Sequence, residues 1–211
     1  MKEKIIDILS QNGISESKIL NIYMYGSRVY GTTSEISDYD FIVIISSSSK
    51  GNYFQIIDGD INITIYDLPN FIMRLNNHDI DALECLFLSD EHKIQENIAI
   101  KSNIDLAKLR HSFSKVSSNS WVKAKKKFIV KKDYNPYIGK KSLFHSMRIL
   151  MFGCQIAKHG KITNYSEANY VWERLLLMND DYMTISKYFK PGYNALGTLF
   201  RGVAPKNIEN D

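Results

Sequence analysis

Gly26-Ser27-Arg28-Val29-Tyr30-Gly31, followed by Ser37-Asp38-Tyr39-Asp40, is the stretch of this sequence that decides its fold. The residues before it, 19–25, are apolar and β-prone. The residues after it, 41–45, form an apolar run that is typical of a buried strand. The pattern predicts a strand, a Gly-Ser turn, a connecting segment and a second strand that begins with two aspartates.

The two aspartates are expected to share one face of their strand. Side chains alternate along a strand, so Asp38 and Asp40 would point the same way, about 7 Å apart. Two carboxylates on one face repel each other unless a cation lies between them, and ligation by oxygen alone suits Mg²⁺ or Mn²⁺. We therefore expect Asp38 and Asp40 to bind one of these metals.

The Gly26-Ser27 turn is expected to bind phosphate. Its backbone N–H groups and the Ser27 hydroxyl are donors to phosphate oxygens, and Gly26 permits a close approach that a Cβ would block. A lone Gly-Ser is usually a simple turn, and a lone Asp-x-Asp is usually a solvated strand end or a helix cap. Together, each beside an apolar strand, they predict phosphoryl or nucleotidyl transfer.

These motifs resemble the signature of the polymerase β nucleotidyltransferase superfamily. The fuller strings 25–31 and 37–40 are similar to one branch, the predicted nucleotidyltransferases associated with RNA repair and RNA ligases. Segments 63–68, 81–87 and 141–150 also resemble the strand, helix and C-terminal helix of that branch. The resemblance implies a nucleoside triphosphate (NTP) as substrate and an acceptor hydroxyl.

The superfamily also implies a third carboxylate on a neighbouring strand, where this chain has Asn62. An amide can ligate a cation through its carbonyl oxygen, but it brings no charge and cannot act as a base. Asp60 lies two residues earlier and would share the face of Asn62, so we expect Asp60 to substitute. Asp67 has the opposite parity and is the weaker candidate. If neither serves, the protein would be a weak or inactive member that still binds nucleotide.

Cationic residues are candidates for binding the triphosphate. Arg28 follows the Gly-Ser turn directly, and either contacts phosphate or braces the turn by pairing with Glu35 or Asp38. Lys141, His145 and Arg148 are spaced to share one face of a predicted helix, where they form either a phosphate-binding face or ordinary surface charge.

Charge is distributed unevenly along the chain. Residues 1–100 carry 7 Lys and Arg against 15 Asp and Glu, and residues 101–211 carry 20 against 8. A basic second half favours an anionic partner, such as an NTP or RNA. Six lysines with interleaved aromatic residues are the candidate RNA-binding residues, although most lysine runs are only solvated helix faces: Lys123, Lys125, Lys126, Lys127, Lys131 and Lys132.

The expected architecture is a mixed, twisted α/β (α+β) nucleotidyltransferase sheet with flanking helices and a helical C-terminal part. The catalytic core would occupy residues 1–100, and a basic helical part, 101–211, would close a cleft over it. Strands are expected over 20–25, 39–46, 53–57, 61–66 and 93–95, with a loop at 46–52 and a frayed end at 205–211. Helices are expected over 2–11, 69–76, 80–88, 103–110, 116–131, 137–159, 166–178, 182–189 and 193–201.

Composition limits the remaining alternatives. The 211 residues contain no apolar run of about 18 residues, so we expect no membrane span. The start of the chain is charged and unlike a signal peptide. Cys85 and Cys154 are expected to be buried thiols in a reducing, cytoplasmic compartment, and the five histidines show no zinc spacing.

The sequence therefore predicts a metal-dependent nucleotidyltransferase that adds a nucleoside monophosphate (NMP) to an acceptor hydroxyl and releases pyrophosphate. An RNA end is the expected acceptor. NMP transfer to a protein side chain, transfer to a small molecule and a non-catalytic nucleotide- or RNA-binding module remain as alternatives, and Asn62 favours the last. The base preference and the oligomeric state do not follow from the sequence.

Overall fold

The computed structural model describes residues 1–47 and 53–206. Most of the expected loop at 46–52 and of the expected frayed end at 205–211 lies outside these residues. The chain forms two compact units, Met1–Asn103 and Ile104–Asp211.

The first unit is built on a five-stranded mixed sheet. Its strands are β1 (Ile19–Tyr25), β2 (Tyr39–Ile45), β3 (Tyr53–Asp58), β4 (Ile61–Asp67) and β5 (Lys93–Glu96). The strand order is β3-β4-β2-β1-β5, in which β2 and β4 run parallel and the other neighbours run antiparallel. The expected α/β class with a mixed sheet and flanking helices is confirmed.

Four helices accompany the sheet: α1 (Lys2–Gln11), α2 (Ser27–Tyr30), α3 (Leu68–Asn76) and α4 (Ile80–Leu86). The α3 helix begins where its sequence predicts, because the Asp67 side chain accepts a hydrogen bond from Asn70 N at 2.9 Å and Pro69 stands in the first turn. Asp67 is therefore a helix cap.

Side-chain alternation on β2 and β4 decides which face of the sheet carries the polar residues. Odd-numbered apolar residues of both strands pack in one core cluster with Ile5, Ile8 and Leu9 of α1. Asp40 and Asn62 have even numbers, so they lie on the face of the sheet opposite α1.

The second unit is helical. Its helices are α5 (Leu106–Ile129), α6 (Pro136–His159), α7 (Asn169–Leu176) and α8 (Tyr182–Val203). The α6 helix confirms its predicted bounds within one residue: the Asn135 side chain accepts from Ile138 N at 3.1 Å, and Gly160 ends the helix with φ +71°.

Two predicted helix breaks are wrong. The helices expected at 103–110 and 116–131 form one helix, α5, although serines of low helix propensity lie between them. Phe113 lies in the expected break, is fully buried and packs against Phe200 of α8 with their ring centroids 6.4 Å apart, so tertiary contact overrides propensity. The α8 helix continues through Pro191. Proline has no N–H to donate to the carbonyl of Lys187, but both residues are exposed, so water can take the place of the missing donor.

Both cysteines are buried and free, as the sequence predicts. Burial raises the pKa of Cys154 to about 11 and that of Cys85 well above its usual value, so both remain protonated thiols at neutral pH. Within residues 1–47 and 53–206, no helix is long and apolar enough to cross a membrane.

The packing of three helices in the second unit depends on Gly153. A Cβ added there would lie 2.7 Å from Phe200 Cε2 of α8 and 3.2 Å from Phe113 Cδ1 of α5, and both phenylalanines are fully buried. We predict that Gly153→Ala lowers the free energy of unfolding by about 1–3 kcal/mol, because overpacking outweighs the better helix propensity of alanine. Urea unfolding followed by circular dichroism measures the change.

Gly202→Ala is the matched control. Gly202 is an exposed residue of α8, and an added Cβ would meet nothing within 4 Å. The variant should be as stable as the unmodified protein or slightly more so, by up to about 1 kcal/mol. If the two variants had equal free energies of unfolding, the neighbouring phenylalanines would have moved away from the added Cβ at Gly153 without loss of stability.

Candidate active site

The Gly-Ser turn and the aspartate strand meet at Gly26 and Asp40. The antiparallel pairing of β1 and β2 places Tyr25, the residue before Gly26, opposite Asp40. Gly26 has φ +77°, and a Cβ added to it would lie 2.5 Å from Asp40 Oδ2. Glycine is thus required here both by the backbone conformation and by the close approach of the carboxylate.

The turn after Gly26 is a single helical turn, α2, which ends at Gly31 with φ +75°. Gly26 O accepts the N–H groups of Val29 and Tyr30, at 3.0 and 3.2 Å. The N–H groups of Ser27 and Arg28 open the helix, where no acceptor is available within the helix itself. Donors of this kind suit a phosphate beside the carboxylates.

Arg28 braces the loop that carries the aspartates. Its guanidinium donates to Ser37 O at 2.8 Å and to Asp38 O at 3.3 Å, and it lies 3.5 Å from the centroid of the Tyr39 ring. Of the two alternatives for Arg28, bracing is observed, and contact with phosphate stays a prediction. The partners are backbone carbonyls, however, and not the expected carboxylates of Glu35 or Asp38.

Asn62 completes the polar group around Asp38 and Asp40. In the parallel pairing of β2 and β4, Asn62 lies directly opposite Asp40. Its Nδ2 donates to Asp40 Oδ1 at 3.2 Å and to Asp38 Oδ2 at 3.4 Å. One amide nitrogen thus bridges two carboxylates.

Asp60 does not take the place that the sequence assigned to it. It lies in the turn before β4, its side chain is 59% exposed, and its carboxylate forms an ion pair with Lys4 Nζ at 3.7 Å. Strand parity predicted a shared face for Asp60 and Asn62, but the strand begins only at Ile61 and the alternation does not extend back into the turn. The structure brings Asn62 to the aspartate pair.

Sequence reasoning missed the support that α4 gives to the turn. Tyr30, the last residue of α2, donates its hydroxyl to Glu84 Oε2 at 2.6 Å, and both side chains are buried. A buried hydrogen bond to a carboxylate contributes about 1.5–3 kcal/mol, so this contact holds α2 in place.

The cationic candidates on α6 differ in their surroundings. Lys141 is exposed, whereas Arg148 is only 3% exposed and its guanidinium lies 5.0 Å from the Phe152 ring centroid. Burial lowers the pKa of His145 well below its usual value, and the cations of Arg148, Lys141 and Lys123 lower it further. His145 is therefore neutral at pH 7 and does not add positive charge to this face.

The lysines at positions 123–132, on α5 and just after it, are mostly exposed, but the aromatic residues among them are not. Trp121 and Phe128 are each 7% exposed and belong to the core cluster of the second unit. Helical periodicity turns the two rings inward, so the lysines and not the rings face water, and the binding of RNA by these lysines stays a prediction. Lys127 forms an ion pair with Asp133 at 3.1 Å, and the other five lysines are exposed: Lys123, Lys125, Lys126, Lys131 and Lys132.

The residues at the aspartate pair fit a magnesium-type cation. Within the described parts of the chain, no group of three or more His, Cys, Asp or Glu residues converges as a metal site. Asp38, Asp40 and the carbonyl oxygen of Asn62 would instead give three oxygen ligands and two negative charges. Mg²⁺ is commonly bound by one or two carboxylates, with water and substrate phosphates as the remaining ligands.

Comparison with known proteins gives one family match and two distant structural likenesses. Residues 2–104 match the family model described as a nucleotidyltransferase domain. The crystal structure of spectinomycin adenyltransferase from Enterococcus faecialis with ATP and spectinomycin is similar at 14% identity and a TM-score of 0.48, over 94% of this chain and 97% of that one. A nucleotidyltransferase-like protein from Exiguobacterium sibiricum is similar at 12% identity and a TM-score of 0.34, over 96% and 75%.

No curated protein sequence matches the chain. Both structural likenesses are distant, so the assignment depends on the family match, whose residues include Gly26, Asp38, Asp40 and Asn62. Residues 2–104, just under half of the chain, are therefore similar to a nucleotidyltransferase domain.

Proposed function

We propose that this nucleotidyltransferase adds an NMP from an NTP to a hydroxyl at an RNA end and releases pyrophosphate. The observation that carries the proposal is the contact between Gly26 and the Asp40 carboxylate. This contact fixes the phosphate-binding turn beside the metal-binding pair, so a bound triphosphate and its cation would lie next to each other.

The residues have separate roles in this reaction. Asp38, Asp40 and the Asn62 carbonyl oxygen would hold Mg²⁺ or Mn²⁺, which supplies stabilisation of negative charge on the reacting phosphate. Ser27 and the N–H groups that open α2 bind phosphate oxygens, and Arg28 keeps the Ser37–Asp38 backbone in position for them.

The transfer itself exchanges one phosphorus–oxygen bond for another. The acceptor hydroxyl oxygen attacks the α-phosphorus, the bond from that phosphorus to the oxygen bridging to the β-phosphorus breaks, and pyrophosphate leaves with that oxygen. The hydroxyl proton passes to solvent, because the amide of Asn62 cannot accept it.

RNA is the proposed acceptor because the second unit carries exposed positive charge. Residues 104–211 hold 19 Lys and Arg against 8 Asp and Glu, and five lysines between positions 123 and 132 are exposed to water. Lys141 adds a further exposed cation on α6 of the same unit. The resemblance of residues 25–31 and 141–150 to the RNA-repair branch favours the same acceptor. A cationic small molecule would instead require an acidic acceptor pocket.

A non-catalytic nucleotide-binding module is the second candidate, and one observation favours it. Asn62 donates to both aspartates, so the third position holds a group without charge or basicity. A protein of this kind would bind NTP without transferring NMP.

Loss of either aspartate should abolish transfer. We predict that Asp38→Asn and Asp40→Asn each reduce the rate by about two to three orders of magnitude or more, because the metal loses a charged ligand. The assay measures label from each of four α-labelled NTPs on pooled small RNAs with Mg²⁺ or Mn²⁺. Asp58→Asn, at an exposed site on β3, is the matched control and should retain activity.

The place of the label separates the alternatives. Label on RNA that depends on Asp38 and Asp40 supports the proposal, and label on the protein itself would assign protein modification. No label under any condition, together with measurable NTP binding, would contradict transfer and favour the non-catalytic module.

A methyl group at Gly26 should disturb the site more than the fold. We predict that Gly26→Ala reduces transfer at least about a hundredfold, because the Cβ displaces the Asp40 carboxylate. Gly13→Ala is the matched control: Gly13 has φ +83°, but an added Cβ would meet nothing within 4 Å. Both variants should lose about 1–2 kcal/mol of stability from the positive φ, and only Gly26→Ala should lose activity. Equal transfer activity of the two variants would contradict the close contact between Gly26 and Asp40.

The exposed lysines of α5 should bind the RNA backbone. We predict that replacing Lys123, Lys125 and Lys126 with Ala weakens RNA binding and reduces the slope of log affinity against log salt by about 3, or about 1 per phosphate contact. Fluorescence anisotropy at several salt concentrations measures this. Replacing Lys158, Lys161 and Lys187, which are also exposed, removes the same charge elsewhere. An equal loss of RNA affinity in both triple variants would show that binding depends only on the net charge of the protein and not on these three positions.

A further inference from the structure

The amide of Asn62 is placed where a cation would reduce the repulsion between Asp38 and Asp40. Its Nδ2 lies 3.2 Å from Asp40 Oδ1 and 3.4 Å from Asp38 Oδ2. Ionised carboxylates only accept hydrogen bonds, so without a cation the amide must turn its NH₂ group, and not its oxygen, toward them. The partial positive charge of that group lies between two negative charges.

The same amide has a second use. Rotation by about 180° about the last side-chain bond exchanges nitrogen and oxygen at almost the same place, since the two ends of an amide have nearly the same shape. The carbonyl oxygen would then lie beside the carboxylate oxygens, as a third ligand for a cation. Neither a carboxylate nor an aliphatic side chain offers both a donor and an acceptor at one position.

We propose that Asn62 is an exchangeable stand-in for the metal. Its NH₂ group holds Asp38 and Asp40 together when no cation is bound, and its amide turns over to present oxygen when Mg²⁺ or Mn²⁺ binds. The inference deepens the proposed function, on which it rests for the position of the cation. The new element is that hydrogen bonds from Asn62 keep the side chains of Asp38 and Asp40 close together when no metal is bound.

Two consequences distinguish Asn62 from a carboxylate in the same place. Three carboxylates would repel one another without metal, so Asn62→Asp should make the metal-free protein less stable. The added charge should also strengthen metal binding without nucleotide, because affinity for hard cations rises with the number of charged ligands. The present chain would bind the cation weakly alone and more tightly with the triphosphate, whose oxygens supply the missing charge.

Thermal unfolding and Mn²⁺ titration test the stand-in directly, without NTP. We expect Asn62→Asp to unfold at a lower temperature than the unmodified protein in EDTA, to gain more from Mn²⁺, and to bind Mn²⁺ about tenfold more tightly. Asn194→Asp, the same change at an exposed position of α8, should alter none of these. The proposal is overturned if Asn62→Asp matches the unmodified protein in EDTA and gains no more from Mn²⁺.

A second measurement reports on the amide itself and does not depend on the folding of Asn62→Asp. The NH₂ signal of Asn62 in a ¹H–¹⁵N spectrum is identified by its absence in Asn62→Ala. Addition of Mg²⁺ should shift this signal in the unmodified protein and leave the NH₂ signal of Asn194 unchanged. An Asn62 signal that does not move would contradict the exchange.

The two proposals can fail separately. If the Asn62 signal moves with Mg²⁺ but no NTP is transferred, the proposed function fails and the stand-in remains. If transfer occurs and depends on Asp38 and Asp40 while the Asn62 signal does not move, the stand-in alone is wrong.

Discussion

The candidate site depends on the approach of one carboxylate to one backbone atom. Gly26 Cα lies so close to Asp40 that even a methyl group would collide with Oδ2. The antiparallel register of β1 and β2 produces this approach, and the parallel register of β2 and β4 adds Asn62 on the other side. Three neighbouring strands thus converge at one point, and a shift of register in any of them would separate the groups.

Near this point, two residues of the Gly-Ser motif hold neighbouring segments of the chain in place. Arg28 holds the loop before β2 by its backbone carbonyls, and the hydroxyl of Tyr30 holds α2 against Glu84. Fixed supports of this kind keep donors and carboxylates in place before substrate binds, which reduces the reorganisation that the reaction requires. Charge at the site then comes from the metal and the substrate.

Much of the fold follows from local pattern. The five strands and the helices α1, α3, α4 and α6 begin and end within two residues of their predicted bounds, because apolar runs and caps such as Asn135 and Gly160 mark them. The errors arise where the structure is determined by context that the local sequence pattern does not show. Phe113 keeps residues 111–115 helical by packing against Phe200, and Asp60 lies in a turn where the alternation on which its assignment relied no longer holds. The neutral state of His145 depends on burial that spacing along a helix does not show.

The hydrogen bond between Tyr30 and Glu84 ties two positions that are 54 residues apart in the chain. Replacing Tyr30 with Phe would remove a donor from a carboxylate that is 1% exposed, and replacing Glu84 with an aliphatic residue would bury a hydroxyl beside it. Each change is costly alone, whereas the two together would exchange a polar pair for an apolar one. In related sequences, the residues equivalent to Tyr30 and Glu84 are therefore expected to vary together. Such paired variation would indicate this contact in relatives whose structures are not known.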